Sequence, residues 1–398
     1  MNALLNRRLL LLLMLFALVP EAGAQTGSLS EPIALFEQEL AALAETNNVP
    51  GLSAAIVHKQ EVIWARGFGY ADLKTQTPAT AETPYRLASV SKPFAAILLL
   101  QLVEEGKLTL DTPMNAFTLY PWFEPGSWSG AHFPSRYEEA LITVRHVLSH
   151  TSQGTPPGSA YQYNGNIFAD LTWVIEDVTK TSYPNVLRTR ILDTLGMERT
   201  LPGHLAPGGQ HLVRAMPTPY QVQNGVSTPA TYPGFGLEPD RDVTPWNLQP
   251  AFRLPQKGYA ARRAFLGKAY TSMYAGNTAS GLISTVLDLA KLDIALDRNS
   301  LISEASKQAM FTAQKTPNGT TLPYGLGWFV EEREGVRLVW HYGWFPPVVS
   351  ALYLKVPDKE LTLLLLSNSD RLSANYAWTQ RGVQASPYAR LFLKHFVF

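Results

Sequence analysis

A chain of 398 residues with 46% hydrophobic and 16% charged residues can bury one large core or two modest ones, and this composition excludes a disordered protein. With 33 basic residues against 32 acidic ones, neither nucleic acid nor an anionic membrane surface is expected as the main partner. The absence of cysteine excludes disulfides, a thiolate nucleophile, a cysteine-ligated metal and lipid attachment through an N-terminal cysteine.

The first 24 residues read as a secretory leader: Arg7 and Arg8, an apolar run over 9–19, then the small residues Ala22-Gly23-Ala24. That run is shorter than the roughly 20 residues that span a bilayer, and no later stretch is long and apolar enough. The mature protein is therefore expected to be secreted or periplasmic, with no integral membrane association and with residues 25–398 forming a single catalytic domain. The spacing of Ile33, Leu35, Phe36, Leu40 and Leu43 predicts a helix over 32–45. Strands over 52–57 and 62–70 flank the turn His58-Lys59-Gln60, which makes a hairpin. Tyr85-Arg86-Leu87 then leads into Ser89-Val90-Ser91-Lys92 and the apolar run 94–103.

Residues three apart share a helix face, so Ser89 and Lys92 bring a hydroxyl and an amine together, whereas Ser91 has no such partner. Pro93 is tolerated only near a helix start, which places that start at about Ser89. A serine hydroxyl is a weak nucleophile until a base takes its proton, and a lysine does so once burial or a nearby cation lowers its pKa.

From 111 to 270 the texture changes to short helical segments broken by Pro, Gly and Trp, which predicts a mostly helical lobe with helices over 142–149, 167–178 and 183–192. Two aromatic-rich stretches, 120–137 and 216–259, read as ordered loops. Strand texture returns over 325–331, 336–341, 348–356 and 360–366, with a turn at Pro357-Asp358, and 385–397 reads as an amphipathic helix. The expected fold is α/β of the α+β type. An antiparallel sheet flanked by helices is built from both chain ends, 25–110 and 271–398, with the helical lobe inserted between them.

Several runs stand in a telling order: Thr83-Pro84-Tyr85-Arg86-Leu87-Ala88-Ser89-Val90-Ser91-Lys92-Pro93, Ile142-Thr143-Val144-Arg145-His146-Val147-Leu148-Ser149-His150-Thr151-Ser152, Pro157-Gly158-Ser159-Ala160-Tyr161-Gln162-Tyr163, Tyr324-Gly325-Leu326-Gly327-Trp328 and His341-Tyr342-Gly343. Together they resemble the serine β-lactamase and penicillin-binding-protein superfamily, in the class C β-lactamase-related branch that also contains esterases and D-alanyl-D-alanine carboxypeptidases. The resemblance implies that Ser89 is acylated, that Lys92 assists its deprotonation, and that Tyr163 carries a proton between nucleophile and leaving group. It implies a role for His341 toward a substrate carboxylate or carbonyl, and an oxyanion hole from the backbone amides of Ser89 and Trp344. Asn166, Gly343 and Trp344 are the implied substrate-binding residues, while His150 and Ser152 are read as structural.

The chain departs from the pattern at two points. The asparagine expected two residues after Tyr163 is Gly165, and Trp344-Phe345-Pro346-Pro347 stands where small residues are usual. Both count against efficient β-lactam hydrolysis and favour an apolar ester or peptide. There is no G-x-S-x-G, H-E-x-x-H or glycine-rich phosphate loop, and no cofactor or metal is implied. The expected partner is a small-molecule or peptide substrate; the oligomeric state is not legible. Besides the esterase reading, a D-alanyl-D-alanine carboxypeptidase or β-lactamase, with His341 or Arg86 as carboxylate anchor, and a catalytically silent binding or scaffold protein remain open.

Overall fold

The computed structural model describes residues 29–117, 142–203, 206, 208–230, 276–374, 376 and 378–398. The expected leader, the whole of the 120–137 loop and the later part of the 216–259 loop lie outside them.

A seven-stranded sheet organises the molecule. Its strands are β1 (Gly51–His58), β2 (Glu61–Asp72), β3 (Thr77–Pro78), β8 (Phe329–Arg333), β9 (Val336–Phe345), β10 (Val349–Val356) and β11 (Leu361–Ser367), in the spatial order β3-β2-β1-β11-β10-β9-β8. All neighbours are antiparallel. The central pair joins the two ends of the chain, with Leu52 opposite Ser367 and His58 opposite Leu361. As the sequence implies, the sheet is shared between the N-terminal hairpin and the C-terminal meander.

Central strands carry apolar side chains on both faces, because each face is covered. On one face Leu52, Ala54, Ile56, Leu363 and Leu365 pack under helices α1 (Ser30–Thr46) and α7 (Pro387–Phe396). On the other, Ala55, Val57, Leu364 and Leu366 meet α2 (Lys92–Glu104) and α6 (Val286–Asp297). Helices α3 (Val144–Leu148), α4 (Gly165–Ala169) and α5 (Leu171–Thr179) add Val147, Phe168 and Ile175 to that second core. Helix α2 lies in the middle, apolar all round and buried continuously from Lys92 to Leu100.

Three expectations are corrected, and one pairing is added to them. Helix α2 begins at Lys92 rather than at about Ser89, and a 3-10 turn, Ala88–Ser91, precedes it. Pro93 has no N–H to offer the Ser89 carbonyl, which accepts from Lys92 N instead and tightens the turn. The strand expected from 325 starts at Phe329, because Gly325 N bonds Trp328 O in a turn. Gly327 in that turn has φ +79° and passes so close to α2 that a Cβ would lie 2.7 Å from the Ala96 methyl. The stretch from 216 contains a hairpin of β5 (Tyr220–Gln223) and β6 (Val226–Pro229) around Asn224-Gly225. Finally, two short strands, β4 (Tyr85–Arg86) and β7 (Ile283–Ser284), pair just before Ser89.

Helix α6 is fastened to the sheet by buried charge. Asp293 accepts hydrogen bonds from Tyr353 Oη (2.7 Å), Thr362 Oγ1 (3.0 Å) and Lys355 Nζ (3.1 Å), and Lys355 also reaches Asp297 (2.8 Å). Removing one member of such a buried set strands the others without water. Asp293→Ala is expected to lower stability by about 3–5 kcal/mol, read as a lower midpoint in urea with the slope unchanged.

Candidate active site

The two serines of the Ser89-Lys92 run have different surroundings. Ser91 is fully buried, and its Oγ accepts from Leu282 N at 3.3 Å, tying the turn to the strand region that follows 276. Ser89 is half-buried, and Lys92 Nζ donates to its Oγ at 2.9 Å. The preceding residue, Ala88, has φ +44°, a left-handed conformation that costs a residue with a Cβ roughly 1 kcal/mol and here turns Ser89 out of the core.

Lys92 is 1% exposed. Its ammonium donates a second bond to Ala279 O at 3.0 Å and lies 5.1 Å from the ring centroid of Tyr163 and 5.3 Å from that of Phe168. The Ala279 carbonyl is presented by a turn in which Asn277 Oδ1 accepts from Ala279 N and Ser280 N. Burial is what lowers the Lys92 pKa, to about 7. Near neutral pH a substantial share of Lys92 is therefore a neutral amine in contact with the Ser89 hydroxyl.

Tyr163 reaches the same place from the segment between α3 and α4. Gln162 N bonds His150 O at 2.8 Å, and Asn164 N donates to His150 Nδ1 at 3.2 Å. The proton of this neutral imidazole therefore sits on Nε2. The His150 and Tyr163 rings are 4.3 Å apart, and burial with the Lys92 charge holds the His150 pKa well below its usual value. His150 thus props the tyrosine. The Tyr163 hydroxyl is buried beside Ser89 without the alignment of a regular hydrogen bond. Burial, then the nearby Tyr342, hold its pKa well above 10, with Ser89 opposing. The resting pair is a neutral phenol beside a readily neutralised amine, rather than a phenolate held by a standing cation.

The other predicted residues divide. Gly343 runs against the turn that carries Ser89: a Cβ there would sit 2.2 Å from Leu87 O. Trp344 follows it, with its side chain 44% exposed. His341 is 0% exposed, and both ring nitrogens are engaged, Nε2 with Tyr324 Oη at 2.9 Å and Nδ1 with Tyr342 O at 2.8 Å. Because Nδ1 can only donate to a carbonyl, Nε2 is the acceptor from the Tyr324 hydroxyl, and burial keeps this imidazole neutral. The structure therefore brings His341 beneath the site and leaves it no ring nitrogen for a substrate. Arg86 is 4% exposed, which likewise removes an open carboxylate anchor.

Asn166 lies exposed on α4, its N–H taken by the Asn164 side chain, which also caps Ile167 N and donates to Gln153. The Asn164 amide is thus committed away from the place left by Gly165, where a Cβ would stand 3.8 Å from Lys92 Nζ. Sequence reasoning missed Tyr324, although its run was singled out, and the Ala279 carbonyl, which as a backbone group leaves no side-chain signature.

The sequence matches the Beta-lactamase family over residues 36–386. The chain belongs to the beta-lactamase family. Among curated relatives, "Penicillin-binding protein 4*" of Bacillus subtilis is 25% identical over 347 residues, 78% of this chain and 66% of the relative. "Esterase EstB" of Burkholderia gladioli is 37% identical over 119 residues, 30% of this chain and 27% of the relative. The chain thus spans less than two thirds of either relative. Among solved structures, the octameric penicillin-binding protein homologue from Pyrococcus abyssi superposes with a TM-score of 0.66 at 22% identity, covering 91% of this chain and 77% of that one. This likeness establishes the β-lactamase/transpeptidase fold. No helix among the described residues is long and apolar enough to cross a membrane.

Because the folded Lys92 pKa lies below its unfolded value, the cost of burying the ammonium is complete below about pH 7 and fades as pH rises towards 10.5. Lys92→Met, close in length and free of charge, is expected to unfold at a higher temperature than the natural protein at pH 6, by about 2–4 °C per kcal/mol recovered. Calorimetry should show the difference shrinking towards pH 10.

Proposed function

We propose that this protein is an exported serine hydrolase that forms an acyl-enzyme on Ser89 and acts most readily on esters. The observation that carries this reading is the 2.9 Å contact between Ser89 Oγ and a fully buried Lys92 whose pKa is lowered to about 7. A lysine so placed destabilises the fold, and a base beside a nucleophile is what that cost provides.

Neutral Lys92 takes the Ser89 proton as Oγ attacks the substrate carbonyl. The neutral Tyr163 hydroxyl donates a proton to the departing oxygen and is resupplied from Lys92. In the second half water attacks the acyl carbon through the same groups, releasing the acid and restoring Ser89. The backbone amides of Ser89 and Trp344 are the proposed oxyanion donors. This assignment is supported by the close passage of Gly343 over Leu87, which sets β9 beside the serine turn. His341 acts through its neighbours: it fixes Tyr324 and the Tyr342 carbonyl.

Esters are favoured over β-lactams and peptides because Gly165 supplies no amide, Asn164 is committed to its cap, and neither His341 nor Arg86 faces the cleft as a carboxylate anchor. The esterase name of one relative agrees with this choice. The scaffold reading is disfavoured because nothing in a binding role offsets the cost of burying Lys92. Export rests on the leader-like residues 1–24.

Intact-mass spectrometry after treatment with a fluorophosphonate, a chromogenic cephalosporin and p-nitrophenyl butyrate tests the assignment. One phosphonyl adduct mapping to Ser89, nitrophenol release and little cephalosporin turnover are expected, and Ser89→Ala should give none of them while remaining folded. No adduct on folded protein would sink the hydrolase reading, and fast cephalosporin turnover would replace the esterase by a β-lactamase. Lys92→Met should lower ester turnover by about 10²–10⁴-fold. For the natural protein kcat/KM should fall as pH drops through about 7, because protonated Lys92 is no longer a base.

A further inference from the structure

From Tyr163, beside Ser89, a row of aromatic rings continues. Tyr163 stacks with Tyr342 at a centroid distance of 6.2 Å and an interplanar angle of 27°. Tyr342 in turn lies parallel to Trp378, at 5.3 Å and 4°, and Tyr376 meets Trp378 edge-on at 5.8 Å. Tyr163, Tyr342 and Tyr376 are each partly exposed, whereas Trp378 is 3% exposed and forms the base of the row.

The row is fixed rather than adaptable. Trp378 Nε1 donates to Ser373 O at 2.9 Å, and Ser373 Oγ donates to Gly343 O, also at 2.9 Å. The same short segment therefore anchors both the wall and the strand that passes over the serine turn.

We propose that this row is the docking surface for the leaving group, and that the preferred substrates are esters of planar aromatic alcohols. The inference rests on the acyl-enzyme reading. In that chemistry the Ser89 Oγ–carbon bond forms and the carbon–oxygen bond to the alcohol breaks. The Ser89 proton passes to Lys92, and the departing oxygen takes its proton from Tyr163. The departing oxygen must then lie against the Tyr163 hydroxyl. Lys92 Nζ, 5.1 Å from the Tyr163 ring centroid, marks the side on which the nucleophile sits. The remainder of the alcohol extends along the rings that continue from Tyr163, namely Tyr342 and then Tyr376 over Trp378. Flat aromatic surface is matched best by another flat ring, in offset-stacked or edge-on contact.

Two butyrate esters give the same butyryl-enzyme, so any difference between them belongs to the leaving group, and deacylation serves as an internal control. Phenyl butyrate and hexafluoroisopropyl butyrate suit this comparison, since the fluorinated alcohol is at least as acidic as phenol but carries no ring. The natural protein is expected to favour the phenyl ester in kcat/KM by about tenfold. Tyr342→Leu should bring the two esters close to parity, and Tyr342→Phe should keep the preference. Tyr376→Leu, at the rim, should reduce it partially and serves if Tyr342→Leu does not fold. Labelling of Ser89 by a fluorophosphonate, whose fluoride is too small to reach the wall, normalises each variant. Labelling without an aryl preference in the natural protein, or a loss in Tyr342→Leu shared equally by both esters, overturns the wall while leaving the hydrolase reading intact. Absence of labelling removes the hydrolase reading, and this inference with it.

Discussion

The protein turns on a lysine that has been taken out of water. Lys92 exchanges its hydration shell for two hydrogen bonds, to Ser89 Oγ and to the Ala279 carbonyl, and for the faces of two aromatic rings. An ammonium ion in that setting is under-solvated, and the equilibrium moves towards the amine. Everything that walls it in must therefore be dry and rigid. Helix α2 has no polar face, α4 closes one side with Phe168, and Gly327 lets the turn before β8 approach α2 closely.

Around this centre the polar groups are neutral. His150 and His341 are both held uncharged by burial, and the tyrosines nearby resist ionisation. A second cation there would repel a proton on Lys92 and push its pKa lower still, while an anion would pin the proton in place. With neutral, polarisable neighbours the amine titrates in a useful range without a dedicated counter-ion. The two histidines thus have related roles: each accepts one hydrogen bond from a neighbouring group and fixes an aromatic ring against the site.

Much of this was legible in the sequence because it depends on local spacing. Ser89 and Lys92 stand three apart before an apolar run, and the β-branched and aromatic strands 336–366 announce a meander. What was not legible depended on tertiary partners. His341 lies on a strand whose alternation does not say which neighbours will claim its nitrogens. Helix α6 hides its pattern because Asp288, Asp293 and Asp297 interrupt the apolar stripe. Asp288 and Asp293 are buried all the same, Asp288 accepting from Arg199 N and Thr200 Oγ1, and Asp293 accepting through Oδ1 from Lys355, Tyr353 and Thr362. The β5–β6 hairpin could have been found: Asn224-Gly225 is a strong hairpin signal, which the aromatic composition around it obscured.

The pairing of β1 with β11 bears on when the protein can fold. Leu52 meets Ser367, so the middle of the sheet cannot form until almost the whole chain has been synthesised. Until then the β1–β2 hairpin has no partner on its inner edge, and helix α2 has no sheet to cover it. A nascent chain of this topology carries these apolar segments uncovered until its last strands are made, the interval in which aggregation competes most with folding.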